Sequence, residues 1–194
     1  MADEIEVKFK VVSHASLRRK LSALGAEFCS TVIQEDAYFD TPGRSLLADQ
    51  IGLRVREVKV LRAAAGARPD GQPTLTYKGP IHANRKAKVR REIETHFETP
   101  GAIEQVLMAI GHELVMSFQK RRTTYRLGRC LIELDELPLL GLFVEVEGPS
   151  ERLVLSIARK LGLAGESIKV SYAHLIADAC TAAGRKPIGI KIRT

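Results

Sequence analysis

The chain has no tryptophan, and aromatic residues fill only 5% of its 194 positions. That is thin for a nucleic-acid platform built on base stacking. There are 3 cysteines, Cys29, Cys130 and Cys180, odd in number and far apart. They argue against a disulfide framework and for reduced thiols in a cytoplasmic setting, as small packed side chains. The 5 histidines stand at no ligand spacing from one another or from cysteine, which argues against zinc. No apolar run approaches the ~20 residues of a membrane span. No charged-then-apolar start suggests a signal peptide, so no membrane partner is expected. What is abundant is charge. Lys and Arg number 30 against 23 Asp and Glu, giving +7 and a pI near 9.5. Such a balance favours an anionic partner.

The charges are patterned. In the opening stretch EIEVKFK, Glu4, Glu6 and Lys8 alternate with Ile5, Val7 and Phe9. This is a strand with one charged and one apolar face. The arrangement recurs downstream. Arg54 and Arg56 alternate with Leu53 and Val55, and Thr76 is followed by Lys78. Arg90, Glu92 and Glu94 oppose Val89 and Ile93, and Lys120 and Arg122 share one parity. Glu133 and Asp135 oppose Ile132 and Leu134, and Glu145 and Glu147 oppose Val144 and Val146. Between the strand groups lie helical stretches. SHASLRRKLSALGA has Ser13 as cap and Gly25 as stop, PGAIEQVLMAIG has Pro100 in its first turn, SERLVLSIARKLGL is capped by Ser150, and SYAHLIADACTAAG follows. The stretch 61–72 is Ala/Gly-rich and predicts a mobile hairpin loop, and the stretch PIHANRKAK predicts a basic loop able to close over a site. In all, about eight strands and three or four helices are expected without sustained βα alternation, hence an antiparallel sheet in an α+β domain.

A single charged pair on a strand is ordinarily a wet surface. Repetition with both signs at matching parity changes the balance. The amphipathic helices need an apolar sheet face, and only the face opposite the charges offers one. A sheet that curls would then turn its charges into a polar lumen. Burying them is costly unless they are paired or bind ions. Carboxylates suit a hard divalent cation, Mg²⁺ or Mn²⁺, and arginine suits phosphate oxygens. A metal-bound triphosphate satisfies both.

The run EIEVKFK, QEDAYFDT, LRVRE, LTYKGP, RREIE, QKRRTTYR, IELDEL, LGLFVEVEG and KVSYAHL resembles the CYTH proteins, or triphosphate tunnel metalloenzymes, over residues 3 to 180. The family includes class IV adenylyl cyclases, thiamine triphosphatases and inorganic triphosphatases. The resemblance implies one domain, 1–183, forming a closed eight-stranded antiparallel barrel with helices outside, followed by a basic tail, 184–194. It implies that Glu4, Glu6, Asp135, Glu145 and Glu147 bind metal, with Glu92, Glu94 and Glu133 as supporting acids. It implies that Lys8, Arg54, Arg56, Lys78, Lys120, Arg122 and Lys169 hold the triphosphate, with Lys8, Lys78 and Tyr38 in catalytic roles. The expected activity is divalent-metal-dependent hydrolysis of an inorganic or organic triphosphate. The alternative is class IV adenylyl cyclase chemistry, ATP to cyclic AMP and pyrophosphate. A third is a non-catalytic module for polyphosphate or nucleic acid, which the acidic pairs disfavour. The implied partner is a small-molecule triphosphate, not nucleic acid, and a homodimer is left open.

Overall fold

The computed structural model describes residues 3–65, 72–81 and 86–192. Residues 82–85 of the expected closing loop, and 66–71 of the hairpin loop expected at 61–72, lie outside the described residues.

The elements in chain order are β1 (Asp3–Val11), α1 (His14–Ala23), β2 (Glu27–Asp40), α2 (Ser45–Ala48), β3 (Gly52–Ala63), β4 (Thr74–Ile81), β5 (Lys88–His96), α3 (Pro100–Ala109), β6 (Glu113–Leu127), β7 (Cys130–Leu137), β8 (Gly141–Glu147), α4 (Glu151–Lys160) and α5 (Tyr172–Ala182). The strands close into an antiparallel barrel in the order β1-β5-β4-β3-β2-β6-β7-β8. The fold class read from the sequence is the one the chain adopts. The strand limits differ in places. β3 runs to Ala63, into the expected loop, and Lys88 opens β5 instead of ending a basic loop.

The caps hold as read. Ser13 Oγ accepts from Ala15 N at 3.1 Å, and Ser150 Oγ from Leu153 N at 3.4 Å. Gly25 ends α1 in the left-handed region, φ +72°, where a Cβ would strain the turn. The short α2 was not anticipated. Asp40 builds it, its carboxylate accepting from Thr41 N, Leu46 N and Leu47 N at 2.7, 3.0 and 3.0 Å. Such local bonding by Asp is a turn device rather than a periodic signal.

Strand parity separates two environments. The outer face is apolar. Val7, Phe9, Ile132, Leu134, Val144 and Val146 pack under α1 and α4, through Leu17, Leu21, Val154 and Ile157. Ala37, Phe39 and Val55 pack under α3 through Leu107. The lumen face carries the charges over most of its length, then turns apolar at one end. There Met116, Phe118, Leu137 and Phe143, of the same parity as Lys120, Asp135 and Glu145, pack on Tyr172, Ile176 and Cys180 of α5. The helix α5 thus lies across one end of the barrel. The tail closes the same corner. β6 outruns β7, and its free half takes up the tail, with Ser117 N donating to Pro187 O at 2.9 Å, Gln119 N to Ile190 O at 2.8 Å and Ile190 N to Ser117 O at 3.0 Å.

Candidate active site

Cross-strand register fixes which charges meet in the lumen. Arg122 of β6 faces Asp135 of β7, Lys8 of β1 faces Glu145 of β8, and Lys78 of β4 faces Glu92 of β5. Like charges also face each other: Glu6 opposite Glu147, and Glu133 opposite Glu145. Opposed like charges destabilise a sheet unless something compensates them.

Arg122 is the hub. Its guanidinium reaches Asp135 Oδ1 from Nε at 2.7 Å, Glu145 Oε2 from Nη2 at 2.6 Å, and pairs with Glu133 through Nη1. On the other side of β6, Arg56 of β3 forks onto Asp36 of β2, Nε at 2.5 Å and Nη2 at 2.8 Å. Arg54 donates to Thr76 Oγ1 at 3.0 Å and lies 3.7 Å from Glu94. Lys78 pairs with Glu92, which also accepts from Arg90 Nε at 2.9 Å, and Lys88 pairs with Glu6. Lys120 Nζ is 3.5 Å from Asp135.

Of the residues expected to form the site, all but Lys169 fall on this face. Lys169 is exposed, beside Val170. Lys8 is only 1% exposed and already engaged: its Nζ donates to Val170 O at 3.1 Å, pairs with Glu145 at 3.2 Å and sits 4.1 Å from the Tyr172 ring centroid. Glu94 stands at the rim, accepting from Thr76 Oγ1 at 3.0 Å. Tyr38 and Lys78 flank Gly52, where an added Cβ would lie 3.5 Å from Lys78 Cβ and 3.9 Å from Tyr38 Cε1. Sequence reasoning missed Asp36, Lys88 and Tyr172, and gave Arg90 no role. Parity with Tyr38 would have found Asp36, and parity with Arg90 would have found Lys88. Tyr172 arrives from a helix, beyond the reach of strand parity.

The wall is electrically two-sided. Acids concentrate on β7, β8 and β1, and bases on β6, β3 and β4. Burial, then repulsion from Glu133, Glu4 and Glu6, pushes the Glu147 carboxyl up to about 8. Burial also raises Glu133 despite the Arg122 contact, with Asp135 and Glu145 adding to the rise. Against burial, Arg122 and Lys120 hold Asp135 low, and Lys8 and Arg122 hold Glu145 low. On the basic side burial, then Arg54, lowers Lys78 to about 8, and burial, then Arg122, lowers Lys120 to about 8. Burial raises Tyr38, with Asp36 adding to it, so its hydroxyl stays protonated as a donor.

These acids offer the right chemistry for a divalent cation. Their donors are all oxygen, and Glu4 Oε2 is buried with no hydrogen-bond partner, its nearest cation being Arg90 Nε at 3.5 Å. Among the described residues Glu147 makes no ion pair. The acids are not gathered into a cage: no three His, Cys, Asp or Glu side chains converge to hold a metal among the described residues. The donor set therefore fits in kind, on the β7–β8–β1 side, with Glu4, Glu6 and Glu147 the members that Arg122 does not hold.

A pH dependence follows. Glu147 binds its proton up to about 8 in the fold but only to its ordinary 4.5 when unfolded. The stability that Glu147 contributes is therefore complete below about 4.5 and is lost as pH rises toward 8. Glu133 pulls the same way, and His14, lowered chiefly by burial, opposes them below its ordinary 6.5. In chelator the melting temperature should fall between pH 5 and 8, and Mg²⁺ or Mn²⁺ should flatten the fall. A flat profile in chelator would contradict the strained acidic side.

Among the described residues no helix is long and apolar enough to cross a membrane. The family model described as the CYTH domain matches residues 2–172. A Methanocaldococcus jannaschii protein, provisionally named an adenylate cyclase, is 30% identical over 144 residues, covering 74% of this chain and 75% of its own. The adenylate cyclase CyaB of Aeromonas hydrophila is 26% identical over 189 residues, 92% of this chain and 91% of its own. Among solved structures, the PH1819 protein of Pyrococcus horikoshii OT3 superposes with a TM-score of 0.75 at 27% identity, covering 90% of this chain and 98% of that one. The matched span takes in every strand of the barrel and with them the whole two-signed lumen, and the chain belongs to the CYTH domain family.

Proposed function

We propose that the protein is a divalent-metal-dependent enzyme that processes a triphosphate inside the barrel, most simply by hydrolysis. The observation that carries this reading is the complementary strain of the two walls. Burial, then neighbouring arginines, depresses Lys78 and Lys120, and burial, then neighbouring acids, raises Glu147. A polyanion relieves the first and a hard cation relieves the second.

Glu4, Glu6 and Glu147 would hold the cation, with Asp135 and Glu145 behind them. Once bound it would supply Lewis-acid polarisation of the phosphate and a more acidic nucleophile. The chain's own residues do the rest. Arg54, Arg56, Lys78, Lys120 and Arg122 surround the phosphate oxygens and neutralise charge as it develops, which is most of what phosphoryl transfer asks of a protein. A triphosphate draws Lys78 and Lys120 back to full protonation. Tyr38, held neutral beside Lys78, donates a hydrogen bond to a bridging or leaving oxygen. Lys8, tied to Val170 and Glu145, braces the acidic wall unless the 168–172 segment moves. Lys169 follows that segment and approaches the phosphates only by the same movement.

The names of two relatives favour a second reading on the same tunnel. In it the nucleophile is the ribose 3′-hydroxyl of ATP, the α-phosphorus is attacked, and pyrophosphate leaves. Purified protein should consume at least one of tripolyphosphate, thiamine triphosphate and ATP with Mg²⁺ or Mn²⁺, and none in excess EDTA. Phosphate release marks hydrolysis and cyclic AMP marks cyclisation. No consumption of any of the three with either ion would overturn the proposal.

A further inference from the structure

Buried polar atoms without a partner concentrate around the lumen. Among the described residues six side-chain atoms are buried with no hydrogen-bond partner, and five of them, on Glu4, Gln34, Arg54, Thr74 and Tyr172, belong to residues that line the tunnel. An unpaired buried hydroxyl is destabilising, so it marks a place where a ligand can complete the bonding. The first four stand on barrel strands. Tyr172 is different: it enters from the first turn of α5, and it is 7% exposed. Nothing in the pairing of the barrel charges accounts for its hydroxyl.

The surroundings of that hydroxyl name the missing partner. Two ammoniums lie over the Tyr172 ring, Lys8 Nζ at 4.1 Å and Lys120 Nζ at 5.0 Å from its centroid. Burial, then Asp135 and Glu145, raises the phenol well above its ordinary range, so it stays a protonated donor. Those two carboxylates are held by Arg122, and the hydroxyl bonds to neither. The acceptor must therefore come from outside, and Lys120 beside it favours an anion. A phosphate presents oxygens on several sides, so one group can take both the ammonium and the hydroxyl, and hydrogen bonds to charged oxygens are the strong ones. Lys120 and Arg122 are buried as well, so a polyanion that draws them off the acids opens the space beside all three. The donor is also fixed in advance. Ser171 caps α5, its Oγ accepting from His174 N at 3.3 Å, and the Tyr172 ring meets Phe143 edge-on with centroids 5.3 Å apart. Little orientational freedom is left to lose on binding.

We infer that Tyr172 is a substrate-binding residue whose hydroxyl donates to a phosphate oxygen gripped by Lys120, a contact that α5 supplies to a site otherwise built from strands. The inference rests on the triphosphate reading of the tunnel and adds a residue to it. Tyr172→Phe is the test, because it keeps the ring, the Phe143 contact and both ammonium contacts and removes only the oxygen. Methylene-bridged analogues of tripolyphosphate and ATP, which resist hydrolysis, should be titrated into the full chain in Mg²⁺ by calorimetry, wild type against variant. Melting temperatures should be taken with no ligand and no metal. For whichever analogue binds the wild type, the variant is expected to lose ~10-fold or more in affinity, the scale of a hydrogen bond to a charged group. Its ligand-free melting temperature should hold or rise, since the orphaned hydroxyl is gone. A purely structural tyrosine cannot give that combination. Unchanged affinity in the variant overturns the inference and leaves the tunnel reading standing. A loss of affinity joined to a melting temperature several degrees lower assigns the effect to ring packing and overturns it too. If neither analogue binds the wild type, the tunnel reading falls and takes the inference with it.

Discussion

Replacing Arg122 with methionine should cost about 3–5 kcal/mol of stability at neutral pH, enough to unfold a marginal domain. The guanidinium is the common partner of Glu133, Asp135 and Glu145, all of which are at most 8% exposed. Methionine keeps much of the volume and removes the charge, so the loss is electrostatic rather than a cavity. Lys120 stays 3.5 Å from Asp135 and Lys8 stays 3.2 Å from Glu145, but neither reaches all three acids. The variant has a distinctive pH signature. With Arg122 gone, the acids bind protons more tightly in the fold than when unfolded, so the variant should regain much of its stability as pH falls from 8 to 5. Denaturant midpoints at the two pH values decide the matter. A loss below about 1 kcal/mol, or one equal at both pH values, would show that Arg122 is not the hub.

Glu4→Gln should separate function from stability. Metal-dependent turnover is expected to fall on the order of 10²-fold or more, because one oxygen of the cation-facing set becomes an amide. Metal-free stability at pH 8 should hold or rise, since Glu4 is one of the charges that strain Glu147, and Arg90, 3.5 Å from Glu4, keeps Glu92 at 2.9 Å. Glu6→Gln is a poorer test, because it strips Lys88 of its buried partner and would lower activity and stability together. Near-normal turnover of the Glu4 variant at saturating Mg²⁺, or a metal-free melting temperature several degrees lower, would count against the assignment.

Strand parity in the sequence was enough to sort inside from outside. Glu4 and Glu6 against Val7 and Phe9, or Glu145 and Glu147 against Val144 and Val146, already imply two faces. The helices settle which face is covered. Pairings were out of reach, because they depend on register between strands far apart in the chain. Nothing local says that Arg122 gathers acids from β7 and β8, or that Lys8 is tied to Val170 across 162 positions. β2 was hard for another reason. Its inward set is Gln34, Asp36 and Tyr38, while Glu35 points away, so the alternation is not one of charge against oil. The role of α5 was hidden because its apolar face packs against lumen-parity residues. A helix-to-sheet rule assigns such a face to the outside of the barrel.

The join between β1 and β8 has a consequence for how the chain is made. Residues 3–11 cannot close the ring until residues 141–147 exist to pair with them. Folding therefore waits on one of the longest-range contacts in the domain, which predicts slow closure. During synthesis the growing sheet is an open ribbon with free edges, the form most prone to pair with other chains. Its inner face at that stage is a row of alternating carboxylates, ammoniums and guanidiniums fully in water. The charges of the finished lumen thus serve earlier as gatekeepers, keeping the unfinished ribbon apart from its neighbours until the last strand arrives.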